Sequence, residues 1–192
     1  MEQDMIRLTT EKQLRIFMLP LRQKILKAMY IEGRAMTAKQ LADRLSITPS
    51  SAKYHLQKLE EIGLVVLDHR MSINGIIASF YRTTGANVSI GNDRFDDFCG
   101  ERDAFVKNML ADAYDGYKDL VEKHRDRKNV GFIGDIVSGI VHLTESQANE
   151  IHKAILQFLH DNDQASMDTK PWHFVLVGYR ADLNDSEGHC NE

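Results

Sequence analysis

The sequence predicts an α+β fold, mainly helical, in two domains of residues 1–88 and 89–192. Three observations predict it. Between Pro20 and Gly63 apolar residues recur three times at helical spacing, each run opened by a proline or a threonine. Residues 64–84 then switch to β-branched and aromatic runs on either side of Asn74-Gly75. Finally, charge divides along the chain. Residues 1–85 hold 13 Lys and Arg against 8 Asp and Glu, or +5, while residues 86–192 hold 11 against 20, or −9. A basic first part suits a polyanionic partner, and an acidic second part is kept off it.

Bulk composition sets the frame. A chain of 192 residues, 43% hydrophobic and 27% charged, can bury a core and is not that of a disordered protein. No apolar run approaches the roughly 18 residues a membrane span needs. The start, MEQDMIRLTTEK, is too charged for a signal peptide. The two cysteines, Cys99 and Cys190, lie far apart in no metal-ligand spacing. No disulfide framework is expected, and the expected location is the cytoplasm.

Residues 2–19 hold an amphipathic lead-in that ends near Pro20. Proline fits the first turn of a helix, where its missing N–H costs nothing. From Leu21 to Ile31, the residues Leu21, Ile25, Leu26 and Met29 share a face, and Gly33 ends the run. Thr37 opens a second helix, with Gln40 at capping-box spacing and Leu41, Ala42 and Leu45 as its stripe. Thr48 caps a third helix, with Pro49 at its first position. Its stripe is Ala52, Leu56, Leu59 and Ile62, and Gly63 is placed as a left-handed stop. LVVLDHRMS and IIASFYRTT follow as a hairpin, because Asn-Gly tolerates positive φ at both central positions.

Helix, helix, helix, hairpin is the order of a winged helix-turn-helix. Its first two helices and the buried stripe of the third form a small core. That core holds the third helix where it can enter a DNA major groove about 12 Å wide. The residues left facing outward are Ser50, Ser51, Lys53, Tyr54, Gln57 and Lys58. Gln can read adenine, Lys can reach guanine or a phosphate, and Ser can bond either. Tyr54 either stacks on a deoxyribose or covers the domain's own edge. The hairpin tip at Asn74, flanked by Arg70 and Arg82, is expected along the backbone, although only one of the two arginines need touch phosphate. Thr37 is placed to meet a phosphate at the second helix's N-terminus.

LRQKIL, TAKQLADRLSIT and SSAKYHLQKLEEIGLV resemble the winged-helix domain of the ArsR-like transcription regulators. The His55-Leu56 pair, the spacing to Leu59 and the Gly63-Leu64-Val65 exit match that pattern across residues 15–85. The resemblance implies a dimeric DNA-binding regulator, often a repressor released by a ligand or a metal. Metal-sensing members carry a cysteine cluster near the third helix or paired ligands near the chain ends. Residues 37–64 here hold no cysteine and one histidine, so metal sensing is not carried over. His55 is expected to pack at the helix base.

Residues 86–92 read as a join. Asp93 can cap a long helix to about Lys123, with Asp96 favourable to its dipole. Phe95, Phe98, Phe105, Met109, Tyr117 and Leu120 recur along it at three- and four-residue steps. A helix of that length cannot bury its whole stripe in a small domain, so a two-fold contact with a second copy is expected. NVGFIGDIVSGIVHL reads as one or two strands, Thr144 with Gln147 opens a further helix with Ile151, Ile155, Leu156 and Leu159 as its core face, and WHFVLVGYRA reads as a strand. Phe132, Ile136, Phe158, Trp172 and Phe174 either line an effector pocket or are core. His142, His152, His160, His173, His189 and Cys190 are scattered, and no metal or other cofactor is expected.

The second domain is thus expected to be an α/β dimerisation or effector domain with a long helix. The chain as a whole is expected to be a homodimeric regulator, most simply a repressor, on an inverted-repeat operator in double-stranded DNA. An effector would be a small molecule. The competing reading is a winged helix that docks a protein instead of DNA. No Gly-rich phosphate loop, nucleophile elbow or metal-ligand motif points to an enzyme.

Overall fold

A computed structural model describes residues 5–90, 97–126, 131–163 and 165–181. It is an α+β structure, mainly helical. The chain divides into two compact units, one of Met1–Asn92 with Asn149–Pro171, the other of Asp93–Ala148 with Trp172–Glu192.

The first unit begins with β1 (Met5–Arg7) and α1 (Glu11–Phe17). Thr10 caps α1 reciprocally: the Gln13 amide donates to Thr10 Oγ1 (3.3 Å), and the Thr10 amide donates to Gln13 Oε1 (3.1 Å). The lead-in therefore contains a strand as well as a helix. β1 pairs in parallel with β5 (Asn87–Ser89), which lies where the sequence reads as a join.

α2 (Pro20–Glu32) starts at its proline and ends at Gly33, whose φ of +66° only glycine adopts without strain. β2 (Met36–Thr37) leads into α3 (Ala38–Leu45) and then α4 (Pro49–Glu61). Ser46 turns the chain between these helices in the left-handed region at φ +55°. At the end of α4 the Leu64 amide donates to Leu59 O and the Gly63 amide to Glu60 O, both at 3.0 Å, with Gly63 at φ +77°. This pair of bonds closes the helix and aims the chain into β3.

β3 (Val65–Ile73) and β4 (Ile76–Thr83) form the hairpin, with Asn74 at φ +52° and Gly75 at φ +81°. These are the two positive angles a tight hairpin turn of this type requires. β2 adds to β4 on the other side, so the sheet is three-stranded and antiparallel in the order β2-β4-β3. A register shift between Leu67 and His69 puts a bulge at Asp68.

Every buried residue among those described lies between Leu8 and Ala86. Ile25, Leu41, Ala52, Leu56, Leu59 and Val65 have no exposure at all, and they come from α2, α3, α4 and β3. Full burial stabilises on the order of 2 kcal/mol for each leucine. Arg22 is also buried, on the face where apolar spacing alone was expected to rule.

α5 (Cys99–His124) is a 26-residue helix with no buried residue. Asp93, Asp96 and Phe95 lie outside the described residues, so the start expected there is not described. Cys99 is disulfide-bonded, which corrects the expectation that the cysteines form no disulfide. α6 (Glu145–Asp161) begins as expected, with the Gln147 amide donating to Thr144 Oγ1 (3.3 Å) and the Thr144 amide to Gln147 Oε1 (2.9 Å).

The expected strands of the second half do not form. Residues 131–143 and 172–181 contain no strand. A strand is stable only as part of a ladder, and neither segment joins one among the described residues. Val137 stays 88% exposed and Tyr179 84% exposed. The expected α/β character of this half is therefore corrected: its described part is helical and irregular. No described helix is long and apolar enough to cross a membrane.

Candidate nucleic-acid interface

The interface is built from α4 outward. Its buried stripe, Ala52, Leu56 and Leu59, fixes the rotation of the helix. Ser50, Lys53, Tyr54 and Gln57 consequently face solvent, while Ser51 and Lys58 are half-buried. The Ser51 amide donates to Thr48 Oγ1 (3.1 Å), so the cap anchors the N-terminal turn, the part of such a helix that meets base edges.

Further along α4 the surface changes character. Lys58 Nζ donates to Glu61 (2.8 Å), and Lys12 of α1 pairs with the same carboxylate. The two lysines hold the Glu61 carboxyl down to about 2, with the Lys12 hydrogen bond as the larger cause. The Glu61 hydrogen bond in turn raises Lys58. Lys58, expected as a free contact, is thus engaged within the protein. The exposed polar groups Ser50, Lys53 and Gln57 run from the first turn into the third.

His55 is half-buried beneath this face, 5.2 Å edge-on from Tyr54. Its Nδ1 is buried without a hydrogen-bond partner. Burial lowers its pKa, and the charge of Arg22 lowers it further. It packs at the helix base, as the sequence implies. Tyr54 itself is 52% exposed.

Thr37 departs from expectation. It is 8% exposed, and its hydroxyl is used within the α3 capping box: the Gln40 amide donates to it (3.2 Å), and it donates to Gln40 Oε1 (3.1 Å). A side chain so engaged is not presented to a phosphate.

The hairpin also differs from the simple picture. Asn74 is at the exposed tip. Arg70 lies opposite Ser79, whereas Arg82 lies opposite Val66 near the foot of the hairpin. Ser79 and Arg82 are three residues apart on β4, so the two arginines project from opposite faces. Arg70 shares the face of buried Tyr81; Arg82 takes the other and binds Asp68 Oδ1 through Nε (3.0 Å). The tip itself is apolar, with Ile73 42%, Ile76 74% and Ile77 72% exposed. Nothing in the Asn-Gly signal foretold that, although the residues stand in plain sight on either side of it.

Of the residues expected at a two-fold contact, Phe98, Phe105, Tyr117 and Leu120 are half-buried and Met109 is 39% exposed, while Phe95 lies outside the described residues. Phe98 precedes α5 and does not belong to it. The expected pocket residues Phe132, Ile136, Phe158, Trp172 and Phe174 are all exposed; Phe132 and Trp172 stack at 5.7 Å.

Sequence reasoning passed over Lys12, Arg15 and Arg22, which reach the flank of α4 from α1 and α2. The Thr10–Gln13 capping box would have placed α1, and so two of the three. No local signal marks Arg22. No curated protein matches the chain. Residues 19–68 match the family model of a helix-turn-helix domain, a stretch that runs from α2 through α4 into β3, and the chain therefore carries a helix-turn-helix domain.

Proposed function

We propose that this chain is a sequence-specific transcription regulator of the ArsR-like kind, a repressor that binds double-stranded DNA as a homodimer. The observation that carries the reading is α4. Three residues with no exposure seat it on the core, and the opposite side offers Ser50, Lys53, Tyr54 and Gln57 to solvent. Residues 1–88 are the DNA-binding part, in which Asn74 and one of Arg70 and Arg82 follow the backbone. Residues 89–192 are the dimerisation part, where Phe98, Phe105, Met109, Tyr117 and Leu120 of the α5 region meet a second copy.

The surface of the second half supports the dimer. Not one described residue from 97 to 181 is buried. Large apolar side chains stay exposed there, Phe132, Val137, Ile140, Phe174 and Tyr179 among them. A two-fold dimer presents its two reading helices about 34 Å apart, one turn of DNA. A small-molecule effector, where one acts, binds the same half.

Selection of sites from random duplex DNA by the full-length protein tests the reading. An inverted repeat supports it, and recovery at background level counts against it. The exposed isoleucines of the hairpin tip favour a second reading, a winged helix that docks a protein. Salt separates the two, because displacement of several counterions makes DNA binding weaken steeply with salt, and an apolar contact does not.

A further inference from the structure

α4 has a second outward flank, turned toward the start of the chain. There Tyr54 and Lys58, one helical turn apart, line an open cleft with Thr10, Glu11, Lys12, Arg15, Ile16 and Arg22. Four of these eight side chains are cationic and one, Glu11, is acidic. Two acids serve them: Glu61 is shared by Lys12 and Lys58, and Glu11 pairs with Arg15 at 2.8 Å. Among the described residues, four cations here therefore stand against these two acids.

Arg22 is the charge left without an acid. It is 7% exposed. Its Nη1 donates to the carbonyls of Ile16 (2.9 Å) and Arg15 (3.3 Å), at the end of α1. Its Nε is buried with no partner, and no carboxylate pairs with it among the described residues. A guanidinium stays protonated at any ordinary pH and carries five N–H donors. The α1 carbonyls account for one nitrogen and for part of the charge through the helix dipole. A buried cation without a counter-charge is expensive, and the low dielectric around it projects its field into the cleft.

We propose that this cleft seats a phosphate group, and that in the working protein the phosphate belongs to the backbone of the duplex that α4 reads. The second half of that statement rests on the DNA-binding reading above. A helix lying in a major groove has a row of phosphates along each side. The hairpin stands toward one row. The α1 flank, packed against α4 from outside the helix-turn-helix pair α3 and α4, stands toward the other. Lys12 and Arg15 are then the movable contacts, and Arg22 is the fixed charge behind them. Bound phosphate takes the place that Glu61 and Glu11 hold at the two mobile cations.

The test uses the full-length protein with Lys12→Ala, Arg15→Ala and the double substitution. Both side chains are largely exposed, 71% and 68%, so the fold survives their removal. Arg22 is left alone because it also caps α1. Lys107→Ala, on α5, controls for the change in total charge. The affinity for a selected site and for an unrelated duplex is measured across a salt series. The expected result is a slope of log affinity against log salt that falls by about 0.9 for each residue removed, with equal weakening on both duplexes. Pyrophosphate is added in parallel to the protein without DNA, and the melting temperature is followed. Stabilisation by millimolar pyrophosphate that is lost in the double variant, with an unchanged salt slope, supports the phosphate seat but overturns its assignment to the duplex. An unchanged slope with no stabilisation overturns the proposal entirely. Failure of the wild-type protein to bind any duplex overturns the duplex assignment together with the regulator reading, and the pyrophosphate arm still decides the cleft.

Discussion

Replacing Gln57 and Lys53 by alanine separates the surface of α4 from its support. Both side chains are exposed, and neither makes a hydrogen bond or ion pair with the rest of the described protein. Their removal should change folding stability by no more than about 0.5 kcal/mol, the usual range for such surface positions. The effect on DNA should be much larger. A bidentate Gln–adenine contact discriminates by about 1–3 kcal/mol, or roughly 5- to 150-fold in affinity for the selected site over a site altered at one base pair. Loss of Gln57 should relax specificity at that base pair and leave non-specific affinity nearly unchanged. Loss of Lys53 should weaken binding to every duplex if it holds a phosphate, and should lower the salt slope by about 0.9. Fluorescence anisotropy on labelled duplexes measures both quantities, and urea unfolding checks the fold. Wild-type affinity, specificity and salt slope in both variants, with the fold intact, would refute the assignment of α4 as the reading helix.

Four further outcomes are expected. Leu59→Ala, at a position with no exposure, should cost about 2–5 kcal/mol in urea unfolding, and a cost below about 1 kcal/mol would mean that α4 is not seated as described. Gly63→Ala places a Cβ 3.5 Å from Ile6 Cδ1, an ordinary contact, so its cost is that of φ +77° alone. That is about 1–2 kcal/mol, partly offset by a stiffer unfolded chain, and a thermal melt showing stabilisation would contradict it. The Glu61 carboxyl, held at about 2 from an ordinary 4.5, contributes stability that is present above pH 4.5 and lost as pH falls toward 2. Glu61→Gln should flatten that acid limb of the urea midpoint, and an unchanged limb would show that Lys12 and Lys58 do not hold the carboxylate in solution. A fragment ending at residue 90 keeps every buried residue among those described and should fold as a monomer, whereas the full chain should sediment as a dimer; a dimeric fragment would move the interface into the helix-turn-helix part.

The amino-acid sequence determined what depends on neighbours within about five residues. The caps at Thr37, Thr48 and Thr144, the stops at Gly33 and Gly63 and the positive angles of Asn74-Gly75 are all of that kind, and all stand where the residues put them. The spacing of Ala52, Leu56 and Leu59 also settled which side of α4 would face inward, and with it the outward set at Ser50, Lys53, Tyr54 and Gln57. Tertiary structure decided whatever depends on distant partners. β1 finds β5 some 80 residues away, and β2 joins the hairpin as a third strand. Thr37 is turned inward, Lys58 is tied to Glu61, and Arg22 is buried against the end of α1. Residues 131–143 and 172–181 carry a strand pattern yet form no strand, because side-chain alternation is local and the backbone ladder is not: it needs a second edge, and the pattern does not say whose.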